Sequence, residues 1–169
     1  MTTNHDSPMT PTETLEKLRD LIKGIKICIL TTVAQDGSLR SRPMGTQEAE
    51  FDGDLWFFTY DDEGKAPEIE RIPTVNVAYA DTGKQRYVSV SGAAELVHDR
   101  AKMQQYWNPF LKAFFPDGLE TPNIALIKVS VDQAEYWESD GRIASLLQFA
   151  KAALTGTEAN PGENRKLAL

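Results

Sequence analysis

Arg42 and Lys65 are the side chains of this 169-residue chain best suited by type and setting to hold a phosphate. Around them run Leu39-Arg40-Ser41-Arg42-Pro43-Met44-Gly45-Thr46, a turn at Phe51-Asp52-Gly53-Asp54, then Leu55-Trp56-Phe57-Phe58-Thr59-Tyr60 and the loop Asp61-Asp62-Glu63-Gly64-Lys65. A phosphorylated planar cofactor needs a fixed cation, main-chain partners for its ring edge and apolar surface against its faces. An arginine fork binds phosphate oxygens two at a time, which a lysine cannot do. Met44, Gly45 and Thr46 would then line the ring edge, with Phe58 and Thr59 beside it, provided the two strands pair. Arg40 shares a strand face with Arg42 and serves as an auxiliary cation.

Plainer readings stand beside these. An arbitrary Arg or Lys is a solvated surface cation, Gly45 in a strand marks a bulge as readily as a ligand, and Phe58 by default packs in the core. Trp107, in Tyr106-Trp107-Asn108-Pro109-Phe110, belongs either to a satellite hydrophobic cluster or to the rim of the pocket. Ser89 and Ser91 alternate with Val88 and Val90 and face away from them. Two histidines (His5, His98) and one cysteine (Cys28) lack the spacing of a zinc site. The chain has no GxSxG elbow, no Walker loop and no GxGxxG after a strand. The acidic residues read as solvated surface, and no catalytic acid or base is assigned.

The elements that must position these groups follow from local signals. Thr10-Pro11-Thr12-Glu13 has the form of a capping box, and Leu15, Leu18, Leu21 and Ile22 recur at helical spacing until Gly24. Ile25 to Val33 is a strand that Gln35-Asp36-Gly37-Ser38 turns back into the Arg42 strand, and Asp52-Gly53 signals a second hairpin. A short helix runs from Ala66 to Ile72. Strands follow at Val75–Tyr79 and Tyr87–Val90, a helix at Asp99–Tyr106, and strands at Ile124–Val129 and Ala134–Trp137. Short strands joined by hairpins predict a closed antiparallel barrel with peripheral helices, a mainly β fold. Ile143, Leu146, Leu147, Ala150 and Leu154 predict a last helix. The organisation expected is a flexible N-terminus over 1–9, a single domain over 10–154 and a mobile tail over 155–169.

A formal net charge of −7 argues against a nucleic-acid partner, which needs a concentrated basic face. The lone Cys28 forbids an internal disulfide and suits a reducing cytoplasm. No stretch is long and apolar enough to suggest a membrane span. The N-terminal segment is polar and lacks the apolar run of a signal peptide.

From Arg42 through Phe57-Phe58-Thr59, Lys65-Ala66 and Arg86-Tyr87-Val88-Ser89-Val90-Ser91-Gly92 to Glu135-Tyr136-Trp137, the chain resembles the pyridoxamine 5′-phosphate oxidase-like, FMN-binding split barrels, within them the general stress protein subgroup. The resemblance implies a split β-barrel homodimer with two flavins at the subunit interface. Arg42, Lys65, Met44, Gly45, Thr46, Phe58 and Thr59 would contact the flavin, and Trp137 would lie beside it. True oxidases of pyridoxamine phosphate carry a basic residue where this chain has Gln47. They also carry an Arg-x-His pair where it has Gly141-Arg142-Ile143-Ala144-Ser145, so that activity is not expected. The favoured function is a flavin-binding, stress-associated protein of unknown substrate, with nicotinamide as a candidate reductant. A carrier or sensor without turnover and a deazaflavin- or haem-binding barrel remain alternatives, and FMN and FAD are both open.

Overall fold

The computed structural model describes residues 9–47, 51–139 and 163–168. Helix α1, Pro11–Ile22, starts as its sequence dictates: the Thr10 side chain accepts from the Glu13 amide while the Glu13 carboxylate accepts from the Thr10 amide at 2.7 Å. Its Leu18 and Leu21 are buried at spacing three, so one stripe of the helix seals the barrel. The strands are β1 (Ile27–Val33), β2 (Leu39–Gly45), β3 (Asp54–Tyr60), β4 (Thr74–Asp81), β5 (Arg86–Val97), β6 (Ile124–Glu138) and β7 (Glu163–Ala168). Helix α2 covers Lys65–Arg71 and α3 covers Arg100–Tyr106, with 3₁₀ turns at Pro109–Ala113 and Gly118–Glu120. Every pairing is antiparallel, in the order β2-β1-β4-β5-β6-β3, with β7 against the C-terminal part of β6. The expected mainly β, split antiparallel barrel is what forms.

Strand β3 is buried on both faces, and its alternation explains the two cores. Phe57 points into a cluster with Leu18, Leu30, Val77, Val90 and Tyr136, while Phe58 joins Met103, Leu111, Phe115 and Leu126 on the other side. Each such ring removes enough apolar surface from water to stabilise the fold by roughly 1.5–3 kcal/mol. Gly92 has a steric reason: a Cβ there would lie 2.2 Å from the Ser130 carbonyl oxygen. The contact coincides with a bulge, where Ser91 opposes Gln133 but Gly92 opposes Val131, so that Asp132 is left out of the ladder.

Four expectations need correction. The strands carrying Arg42 and Thr59 do not pair: β2 ladders with β1, β3 with β6, and the two end the hydrogen-bonded path at opposite edges. Asp52-Gly53 is therefore a turn but not a β2–β3 hairpin, because each strand finds a longer ladder elsewhere. The separate strands expected at Ile124–Val129 and Ala134–Trp137 are one 15-residue strand, β6, whose bend at Asp132 looked like a break. Within the expected tail, Glu163–Ala168 adds a strand and buries Leu167 in the main core. The Trp56-Phe57-Phe58 segment is covered: Phe57 and Phe58 are buried, and Tyr106 packs on Trp56 at 5.5 Å. Among the described residues, the large apolar side chains that are exposed are Ile27, Ile29, Leu39, Tyr87, Phe110 and Phe114. The helix expected over Ile143–Leu154 lies outside the described residues.

Candidate functional site

Because β2 and β3 end the path without pairing, the barrel has a split, and a groove of about 1250 Å³ opens beside it. Met44 and Gly45 of β2 and the adjoining Thr46 line one side. Phe58, Thr59 and Lys65 line the other, and Trp107 closes it from the segment after α3. Seven of the residues singled out in the sequence are thus brought together, across the split rather than along a hairpin.

Each wall is fixed by identifiable contacts. Thr46 donates its hydroxyl to the Ile25 carbonyl at 2.6 Å and its amide to the Lys26 carbonyl, which pins the end of β2. Gly45 pairs with Ile27 in unbroken register, so it is not a bulge. It is exposed, and a Cβ built on it would meet nothing within 4 Å. Nothing in the fold demands glycine at this position, and its missing side chain leaves room in the groove.

Thr59 is buried and donates to the Tyr60 carbonyl at 3.1 Å. Phe58 forms the aromatic floor, edge-on to Trp107 with ring centroids 5.6 Å apart. Phe110 and Phe114 stand exposed at the mouth, their rings 5.9 Å apart. The Tyr60 hydroxyl donates to the Phe114 carbonyl at 2.7 Å and ties this aromatic flap to β3.

The cations are arranged less simply. Lys65 enters the groove and pairs with Glu63 at 2.8 Å, a partner whose own side chain is 52% exposed. Arg42 does not line the groove. Its guanidinium reaches α2, donating to Glu68 at 2.9 Å and to the Thr32 hydroxyl at 2.7 Å. Arg40 lies 3.8 Å from the same carboxylate. Glu68 follows Lys65 by three residues, about 4.5 Å along the helix axis, so Arg42 is anchored within one turn of the groove's lysine. Burial pushes the Glu68 carboxyl up, but the hydrogen bonds from Thr32 and Arg42 and the two guanidinium charges outweigh it and hold it below its ordinary value.

Trp137 is absent from the groove. It pairs with Tyr87 on β5 and Asn164 on β7, and the alternation of the ladders places it on the sheet face that carries Ile27 and Ile29. Ser89 and Ser91 share that face and are held by Asn76.

Sequence reasoning missed Glu68, grouped with the solvated acids although it is buried, and Lys26, Lys102 and Gln105, which also line the groove. A polar residue three places after Lys65 on a short helix carried no signal of burial. Lys102 lies over the Trp56 and Tyr106 rings, which places its ammonium at the groove edge. Cys28 is no nucleophile: burial pushes its thiol up to about 12. Among the described residues no cluster of metal ligands occurs, and no helix is long and apolar enough to cross a membrane.

Residues 13–160 match the model of the family described as pyridoxamine 5′-phosphate oxidase like. The chain belongs to that family. Over 97% of its length it is 28% identical to the protein bli-3 of Neurospora crassa, covering 84% of that protein. It is 30% identical to the general stress protein 26 of Bacillus anthracis, with a TM-score of 0.64 over 72% of this chain and 92% of that one. The general stress FMN/FAD binding protein of Xanthomonas citri is 28% identical, with a TM-score of 0.67 over 78% and 92% of the two chains. A general stress protein 26 from Jannaschia sp. CCS1 shares the fold at a TM-score of 0.72, with 94% and 99% coverage and 23% identity.

Proposed function

We propose that this chain is a flavin-binding protein of the general stress type whose groove at the barrel split holds the flavin. The observation that carries this reading is Gly45: it leaves open space in the groove wall that nothing in the fold requires. Around that space stand an aromatic floor (Phe58, Trp107) and a cation (Lys65) whose exposed partner Glu63 a phosphate displaces at little cost. The similarity to a protein described as FMN/FAD binding supports the same ligand. The flavin, once bound, supplies the redox chemistry.

In this reading Met44 to Thr46 meet the ring edge, Phe58 and Trp107 exclude water from it, and Lys65 and Arg42 hold the phosphate, with Arg40 in support. FMN is the favoured cofactor, and FAD shares the contacted half. The exposed Ile27, Ile29, Leu39 and Tyr87 lie on a single sheet, and Phe110 and Phe114 flank the groove mouth. An apolar surface of this kind favours a twofold homodimer, in which the partner's copy of the Trp137 face approaches the groove. The chain then works in the cytoplasm, taking electrons from a reduced nicotinamide.

A carrier or sensor without turnover is the second reading. In its favour, two ionisable groups of the groove are already engaged, Lys65 by Glu63 and the Tyr60 hydroxyl by the Phe114 carbonyl. Oxidation of reduced nicotinamide by the flavin-loaded protein, measured against free flavin, separates the two: turnover above that control selects the enzyme, its absence the carrier. Quenching of flavin fluorescence on titration tests the binding itself, and an unquenched signal rejects both readings.

A further inference from the structure

We propose that Glu68 is a positioning residue that holds the Arg42 guanidinium ready for the phosphate end of the ligand. This rests on the reading of Arg42 as a phosphate contact and adds a residue that carried no role in it.

The geometry is a closed triangle. Glu68 Oε2 accepts from Thr32 Oγ1 at 2.5 Å and from Arg42 Nη2 at 2.9 Å, while Arg42 Nη1 donates to Thr32 Oγ1 at 2.7 Å. Two of the three members are buried, Thr32 at 0% and Glu68 at 8% relative exposure, whereas the Arg42 side chain keeps 23%. A guanidinium has five N–H donors in a rigid plane, and this triangle engages two of its nitrogens on one side. The other donors remain for a ligand: the Arg42 side chain keeps part of its surface exposed, and the Glu68 that holds it stands three residues after Lys65 on α2.

A flexible arginine loses rotamer freedom whenever it grips an anion. One already fixed by a buried carboxylate has lost that freedom before the ligand arrives. The charge also remains favourable: Arg40 and Arg42 against Glu68 leave the cluster one positive charge in excess. A buried carboxylate is a costly way merely to tie α2 to the barrel, because apolar packing does this as well or better. It is an effective way to orient a cation, since both partners are planar and are joined once directly and once through the Thr32 hydroxyl.

The test is the ratio of the riboflavin Kd to the FMN Kd, which isolates the phosphate contribution, measured on the full chain. Glu68→Gln retains a carbonyl that accepts from Thr32 and Arg42, and is expected to keep the wild-type ratio within about threefold. Glu68→Ala releases Arg42 and is expected to lower the ratio by about tenfold or more, with riboflavin affinity unchanged. Should the alanine variant fail to fold, Glu68→Asp withdraws the carboxylate by one methylene at constant charge and is expected to lower the ratio at least about threefold.

A folded Glu68→Ala, or Glu68→Asp in its place, with the wild-type ratio would overturn the proposal and leave Glu68 a structural tie. An equal loss in Glu68→Gln would overturn it too, by assigning the effect to charge rather than placement. A wild-type protein that binds riboflavin as tightly as FMN would instead reject the phosphate reading of Arg42 itself, a failure distinguishable from that of Glu68.

Discussion

Gly45→Val separates the groove as a binding site from the groove as an accident of folding. Gly45 is a strand residue in regular register, without positive φ, and no atom lies within 4 Å of the position a Cβ would take. A β-branched side chain suits that backbone, and removing an interior glycine gains roughly 0.5–1 kcal/mol of stability. In a domain of this size such a gain raises Tm by about 1–4 °C. The same isopropyl group occupies the space assigned to the ligand. If the ring and its walls must shift as an overpacked core does, the loss is about 1–3 kcal/mol, or roughly 5- to 150-fold in flavin affinity. Circular dichroism melts and flavin fluorescence titrations measure the two effects on one sample. Unchanged affinity in a variant of equal or higher Tm would refute the placement of the ligand against Gly45. A Tm lowered by more than about 5 °C would refute the claim that the fold does not need this glycine.

Other expectations follow from the same geometry. Lys65→Ala should weaken FMN by about 10- to 150-fold through loss of a charge-assisted contact, yet cost at most about 1 kcal/mol of stability because its partner Glu63 is exposed; urea unfolding and titration check the pair. Arg42→Ala should cost more, about 1.5–3 kcal/mol in urea unfolding, since the buried Glu68 keeps Thr32 and Arg40 but loses its charged hydrogen-bond donor. Gly92→Ala should destabilise by roughly 3 kcal/mol or more, read by urea unfolding, because its Cβ would meet backbone rather than a movable side chain. Glu68, held below its ordinary value of 4.5, contributes stability that is complete above that pH and is lost as pH falls through the lower folded value, so Glu68→Gln should flatten the acid limb of a stability–pH profile.

The sequence announced much of this architecture because its local rules are strong. The capping box at Thr10 and Glu13 fixed the start of α1, and the Asp36-Gly37 turn fixed the β1–β2 hairpin. It misled at Asp52-Gly53, where a hairpin-like turn joins strands that ladder elsewhere, since register with β1 and β6 is decided by long-range burial. The continuity of β6 through Asp132 was hidden because a bulge and a strand end share the same polar residues. Of the groove lining, Lys65, Thr59 and the Met44–Thr46 run were legible from residue type together with the family resemblance. Glu68 was not, because its burial follows from where α2 docks and not from its neighbours in sequence. Trp137 was legible as a site residue only through family resemblance, and within one chain it stands apart from the groove.

The most direct test of the flavin site is an equilibrium titration of FMN into the full-length wild-type protein, followed by flavin fluorescence and by sedimentation velocity at each point. The account predicts saturable quenching at one flavin per chain, with a Kd in the micromolar range or below, and a twofold dimer that persists to lower protein concentration as flavin is added. Fluorescence that remains unquenched up to about 100 μM protein would contradict it.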